Sequence, residues 1–321
     1  MGLVKGEAIL SGLHVLMSKR RVDPLVAWLK TLEWDGNPRV ENFFPRYLKV
    51  PTSPYTKAVS KNFWVALCAR VLSPGIKFDS IPIVEGLEGV GKSTFFEVVA
   101  DEYFFQVQNF DAFQNAEDLK KMHQSLIVEL PELVGLIGAR SELVKAFVAM
   151  RDDRIRKLYA PQAVKERRSF IFVGTTNENR YLQKGAGLRR FWPLVIPSHV
   201  KTLDLNDLSY NRNQLFAEGR HLFEMGAEFY HVPEGHLEAA QDKVRIDPLV
   251  AEIRGILSSQ MSMSLTDIYM SLSLRGLVAR GLSHDTARRI EDSLDQINCQ
   301  TTQKDGNIYY ALKHSAIDDL I

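Results

Sequence analysis

The chain is 321 residues long, enough for two or three domains. Its 45% hydrophobic and 25% charged content is that of an ordinary globular protein, and no apolar run reaches membrane-spanning length, so no membrane role is expected. A net charge of +1 excludes a global pull toward nucleic acid and leaves that task to local patches. Cys68 and Cys299 stand far apart without CxxC spacing, which argues against a disulfide framework or zinc site and for a reducing, cytoplasmic setting. The opening "MGLVKGEAIL" lacks the pattern of a signal peptide.

In chain order, residues 1–75 read as helical. "DPLVAWLKTLEW" places Leu25, Trp28, Leu29 and Leu32 at helical spacing, and "SPYTKAVSKNFWVALCARVL" stops at Pro74-Gly75. From about residue 76, short apolar runs recur at 81–85, 103–108, 125–130, 169–174 and 191–196, separated by helical stretches. Runs of this kind predict strands buried on both faces of a sheet, hence an α/β core over 76–200 with a five-stranded, mostly parallel sheet. A helical lid is expected over 201–245. In the last segment, 246–321, Ser264 and Ser283 are candidate helix caps and "CQTTQKDGNIYYAL" is a hairpin around Asp305-Gly306, together predicting a winged-helix-like module.

The most informative motif is Gly86-Leu87-Glu88-Gly89-Val90-Gly91-Lys92-Ser93, a full GxxxxGK[ST] between the strand "IPIVE" and the helix "STFFEVVADEYF". Glycines let backbone N–H groups fold around phosphate oxygens, and the helix N-terminus adds positive potential. ATP is therefore expected at Gly86, Gly89, Val90, Gly91, Lys92, Ser93 and Thr94, with Lys92 on the β/γ-phosphates and the Ser93 hydroxyl on Mg²⁺. Such a loop needs an acid on a neighbouring strand. "SLIVELPEL" supplies Glu129 as the metal-side acid or catalytic base, and Glu132 as a second carboxylate or a solvated loop residue. "SFIFVGTTNE" ends in Thr175, Thr176 and Asn177, and an amide at that strand tip, between the other two strands, would hold the attacking water or sense the γ-phosphate.

The order of the phosphate loop, "VELPEL", "VGTTNE" and "GLRRFWPLVI", with "LEWDGNPRV", "DDRIRKLY" and "NRNQLFAEG", resembles the virulence-associated protein E family. These are phage and mobile-element replication ATPases related to superfamily 3 helicases within the AAA+ class. The likeness spans nearly the whole chain. One departure is Leu188, at a position before the two arginines where family members often have Asn. The family often carries an N-terminal primase module and this chain shows none, so a stand-alone motor or a piece of a longer protein is expected, with a primase as a possible partner and a bacterial host cytoplasm as its setting.

The resemblance implies an AAA+-type P-loop core working as a ring, hexameric by expectation, with ATP between subunits. Arg189 or Arg190 would then reach the γ-phosphate bound next door, the other being structural. It also implies that "RDDRIRKLYAPQAVKERR", with seven Lys/Arg against three acids, lines the ring channel. There Lys157 and Lys165 would meet DNA phosphates and Tyr159 a base, with Arg154 and Arg156 on DNA or, like Lys145, toward a neighbour's nucleotide. Arg288 and Arg289 of the last helix face either duplex DNA or a protein. The expected function is a DNA helicase or translocase acting on single-stranded or fork DNA. The alternatives are an ATP-dependent DNA-binding switch or loader without unwinding, and a small-molecule kinase.

Overall fold

The computed structural model describes residues 23–132, 139–155, 162–179, 181–182, 188–245, 248–260, 262–278, 281–297, 299–304 and 306–312. They fall into two compact bodies. The first takes the described residues of 1–133, 143–177 and 189–240, and the second those of 134–142, 178–188 and 241–321.

Helices α1 (Pro24–Thr31), α2 (Phe43–Leu48) and α3 (Pro54–Leu72) come first, followed by β1 (Ile81–Glu85), α4 (Lys92–Ala100), β2 (Phe104–Gln106), α5 (Ala116–His123) and β3 (Ile127–Pro131). Next are α6 (Ala139–Ala149), the paired strands β4 (Asp152–Ile155) and β5 (Val164–Arg167), then β6 (Ile171–Thr176), β7 (Phe191–Val195), α7 (Asn206–Glu224) and α8 (His236–Lys243). Five strands form one sheet in the order β2-β3-β6-β1-β7, and every neighbouring pair is parallel. This is an α/β fold with the expected five-stranded sheet. Every residue of β1 and β6 is buried, which is why both read as unbroken apolar runs rather than alternating ones. The run expected at 103–108 yields only Phe104–Gln106, an edge strand with a partner on one side.

The N-terminal helices do not form a body of their own over their described residues. Phe43, Phe63 and Trp64 share one hydrophobic core with Phe95 and Phe96 of α4, Phe216 of α7, and Val84, Val173 and Leu194 of the sheet. Trp64 meets Phe43, Phe63 and Phe216 edge to face at 4.9, 5.5 and 5.0 Å, a geometry that contributes beyond area burial alone. Helix α3 starts cleanly because Ser53 and Thr56 form a reciprocal capping box with Pro54 behind it.

The second body holds α9 (Pro248–Ser258), β8 (Met263–Ser264), α10 (Leu265–Leu274), α11 (His284–Ile297), β9 (Gln300–Lys304) and β10 (Asn307–Ala311). Its antiparallel sheet runs β8-β10-β9, and its core gathers Ile253, Ile256, Ile268, Leu272, Ile290 and Leu294. Both expected caps are made: Ser264 Oγ accepts from the Asp267 amide at 3.2 Å and Ser283 Oγ from the Thr286 amide at 3.1 Å. Among the described residues, no helix is long and apolar enough to cross a membrane.

Candidate functional site

Because β1, β3 and β6 are parallel neighbours, their C-terminal ends share one edge of the sheet. The glycine-rich turn after β1 lies there. Gly91, the cap of α4, has φ 101° and Gly89 has φ 75°, a region where a Cβ is strained. At Gly86 a Cβ would sit 3.2 Å from the Ile196 side chain, a tight approach to the segment leaving β7. Val90 contributes backbone only: its side chain is buried, and its carbonyl accepts from the Leu203 amide at 3.1 Å. Thr94 is exposed on the first turn of α4. The turn therefore brings backbone and the amide end of α4 to one place, as phosphate binding requires.

Lys92 folds back over this turn. Its Nζ donates to the carbonyls of Gly86 and Leu87 at 2.9 and 3.0 Å and to Asn177 Oδ1 at 2.5 Å. Burial holds the ammonium below the usual lysine range, against the pull of Glu132, Glu129 and Glu88. The Asn177 amide in turn donates to Glu132 Oε1 at 2.9 Å. Glu132 is exposed and has a left-handed φ of 46°, uncommon for a residue with a side chain.

Glu129 is fully buried. Its Oε1 accepts from Ser93 Oγ at 2.7 Å and Thr175 Oγ1 at 2.5 Å, and its Oε2 from Gln106 Nε2 at 3.0 Å. The two carboxylates thus differ: Glu129 is sealed by three donors, whereas Glu132 stands at the rim. Ser93 and Glu129 together offer only oxygen ligands beside an amide-rich helix end, a set that fits a hard cation such as Mg²⁺. Gln106 was not apparent from the amino-acid sequence. Its signal was a polar residue in an apolar run, but its value depends on the register that sets Gln106 opposite Glu129. Glu85, at the end of β1, also went unnoticed; it is buried, its Oε2 has no partner among the described residues, and burial pushes its carboxyl up to about 7.

Arg189 and Arg190 are not in this cluster. They lie on a short turn, Leu188–Arg190, that enters the N-terminal end of β7, at the opposite edge of the sheet. The described parts of the basic segment are two paired strands, β4 antiparallel to β5, with Arg154 opposite Lys165. Both residues are exposed, and Lys165 pairs with Asp152 at 2.9 Å. Arg156, Lys157 and Tyr159 lie outside the described residues. The strand pair is anchored by Arg168, which grips Asp153 through Nε and Nη2 at 2.6 Å each and reaches the Phe147 carbonyl at 2.6 Å. His123 Nε2 joins Asp153 at 2.9 Å. Burial alone would raise the Asp153 carboxyl, yet Arg168 and His123 hold it down to about 2. Lys145 of α6 is buried.

A family model described as the virulence-associated protein E-like domain matches residues 29–248. Among solved structures, the apo structure of the NrS-1 C terminal region is similar at 12% identity with a TM-score of 0.49, covering 91% of this chain and 79% of that chain. The A form apo structure of the same region gives 14% identity and a TM-score of 0.45, covering 91% and 78%. No curated protein sequence matches.

Proposed function

The chain belongs to the virulence-associated protein E-like family, and from that premise we propose that it is an ATP-dependent, ring-forming DNA helicase or translocase of phage or mobile-element replication. One observation carries the reading: Lys92 and Ser93, at the start of α4, meet Asn177 and Glu129 from the ends of two adjacent strands. An AAA+-type core accounts for that convergence, since β6 stands between β1 and β3 and so delivers Asn177 between the phosphate loop and the acid.

ATP phosphates would take the place of the Gly86 and Leu87 carbonyls as partners of Lys92, and of the Asn177 oxygen as well. A free Asn177 side chain could then turn toward the γ-phosphate and the attacking water. Ser93 and Glu129 would hold Mg²⁺, which when bound neutralises phosphate charge. With Glu129 on the metal side, the proton from water would fall to Glu132, which is exposed and already hydrogen-bonded to Asn177.

The arginine turn supports shared sites. The five residues of β7 separate it from the phosphate edge by about 16 Å at roughly 3.3 Å per residue, beyond an arginine's span. Its natural target is a nucleotide on another subunit. Arg154 and Lys165, exposed on the paired strands β4 and β5, would meet the DNA backbone. The element order of the second body, helix-strand-helix-helix-hairpin with β10 central, supports the winged-helix reading. Asp285, Glu291, Asp292 and Asp295 are exposed beside Arg288 and Arg289 on α11, which favours a protein rather than duplex DNA on that face. The direct test is Lys92→Ala: ATP hydrolysis should vanish while the near-UV circular dichroism is kept, and ordinary turnover in the folded variant would refute the site.

A further inference from the structure

Arg189 and Arg190 are neighbours in sequence with opposite surroundings. Arg190 turns inward, and its Nε meets Asp79 Oδ2 at 3.2 Å, with side chains only 20% and 17% exposed. Asp79 sits between buried Phe78 and Ser80 on the segment that leads into β1. The Phe78 ring meets Trp192 edge on at 5.7 Å. Trp192 is itself buried, and its indole N–H donates to the Arg189 carbonyl at 3.1 Å. The backbone of Arg189 is therefore pinned by a buried indole, and the next residue by a carboxylate. The Arg189 side chain is exposed, with no hydrogen-bond partner among the described residues.

We propose that Arg189 is the guanidinium presented to the neighbouring subunit's nucleotide phosphate, and that Asp79, acting through Arg190, is the positioning residue that aims it; this rests on the shared-site reading above. A cation that must reach another subunit needs a fixed backbone and a free, permanently charged side chain. Arg189 has both. Arg190 has neither freedom nor exposure, and using it as the finger would strip a largely covered carboxylate of its partner. A small misplacement of such a group is expensive in rate, so the mount matters as much as the finger.

The test compares Arg189→Ala, Arg190→Lys and Asp79→Asn in the full chain, alone and mixed with Lys92→Ala. Arg189→Ala should lower kcat by about 10³ or more with the ATP KM unchanged. Arg190→Lys keeps a cation for Asp79 and should cost less than about tenfold. Asp79→Asn is nearly isosteric and should lower kcat by about 10- to 100-fold, again without raising KM. Lys92→Ala supplies an intact finger, so it should restore turnover to both Arg189→Ala and Asp79→Asn. Arg189→Ala mixed with Asp79→Asn should show no gain over Asp79→Asn alone, because both carry the lesion on the donating face. Loss of turnover in Arg190→Lys with normal turnover in Arg189→Ala would reverse the assignment. Rescue of Arg189→Ala with unchanged kcat or a raised KM in Asp79→Asn would leave shared sites standing and remove the role of Asp79. No rescue of Arg189→Ala in confirmed mixed assemblies would overturn the shared-site reading and this assignment with it.

Discussion

Glu85→Gln should stabilise the protein at alkaline pH and leave it unchanged at acid pH. Glu85 is 8% exposed at the root of the glycine-rich turn, and burial moves its carboxyl from 4.5 to about 7. The unfolded chain releases this proton near pH 4.5, whereas the folded chain keeps it until about 7. Between those values the native state binds more protons, so stability falls as pH rises through the window. The shift corresponds to at most about 3 kcal/mol, and residual solvent contact reduces this to about 1–2 kcal/mol. Glutamine keeps the shape of the neutral acid and does not ionise. The variant should therefore match the parent near pH 5 and exceed it by about 1–2 kcal/mol at pH 8. Urea unfolding followed by tryptophan fluorescence reads this, since Trp64 and Trp192 are buried in the same core. Taking the difference between the two proteins cancels the other titrating groups. An equal difference at both pH values would refute the reasoning.

Gln106→Leu removes a donor from the sealed Glu129 carboxylate and should lower turnover about tenfold while raising the Mg²⁺ concentration required; an unchanged Mg²⁺ dependence would count against it. Gly219→Ala should destabilise by about 1–2 kcal/mol, because a Cβ there meets the Trp64 carbonyl at 3.0 Å and Cys68 Sγ at 3.1 Å. That overpacking, about 1–3 kcal/mol, outweighs the gain of about 1 kcal/mol in helix propensity, and a stabilised variant in thermal unfolding would contradict it. Asp153→Ala strands the buried Arg168 and should cost about 3–5 kcal/mol in urea unfolding near neutral pH. In the parent, this pair's contribution is present above pH 3.8 and fades as pH falls toward about 2.

Much of the candidate site was legible because its residues lie in short local motifs. The glycine pattern, Lys92 and Ser93 sit on one turn, and Glu129 and Asn177 each end an apolar run. Gln106 was not legible, since a glutamine in a short edge strand gains meaning only from its register against Glu129. Nor did the sequence separate Arg189 from Arg190. That distinction comes from Asp79 and Trp192, on different strands or their approaches. The boundary expected at residue 75 had a physical cause too. Helix α3 is buried on nearly all sides from Tyr55 to Val71, so it shows no polar stripe to reveal that it packs between the sheet and α7. The excess of cations over 151–168 was legible in the sequence, whereas the Asp153–Arg168–His123 anchor joins residues that sequence spacing does not bring together.

A motor whose sites are completed by neighbouring subunits should gain activity as its subunits assemble. The most direct measurement is steady-state ATP hydrolysis per subunit against protein concentration, with and without single-stranded DNA. With shared sites, turnover should rise cooperatively with concentration and rise again with DNA. Turnover that is flat with concentration and indifferent to DNA would contradict shared sites.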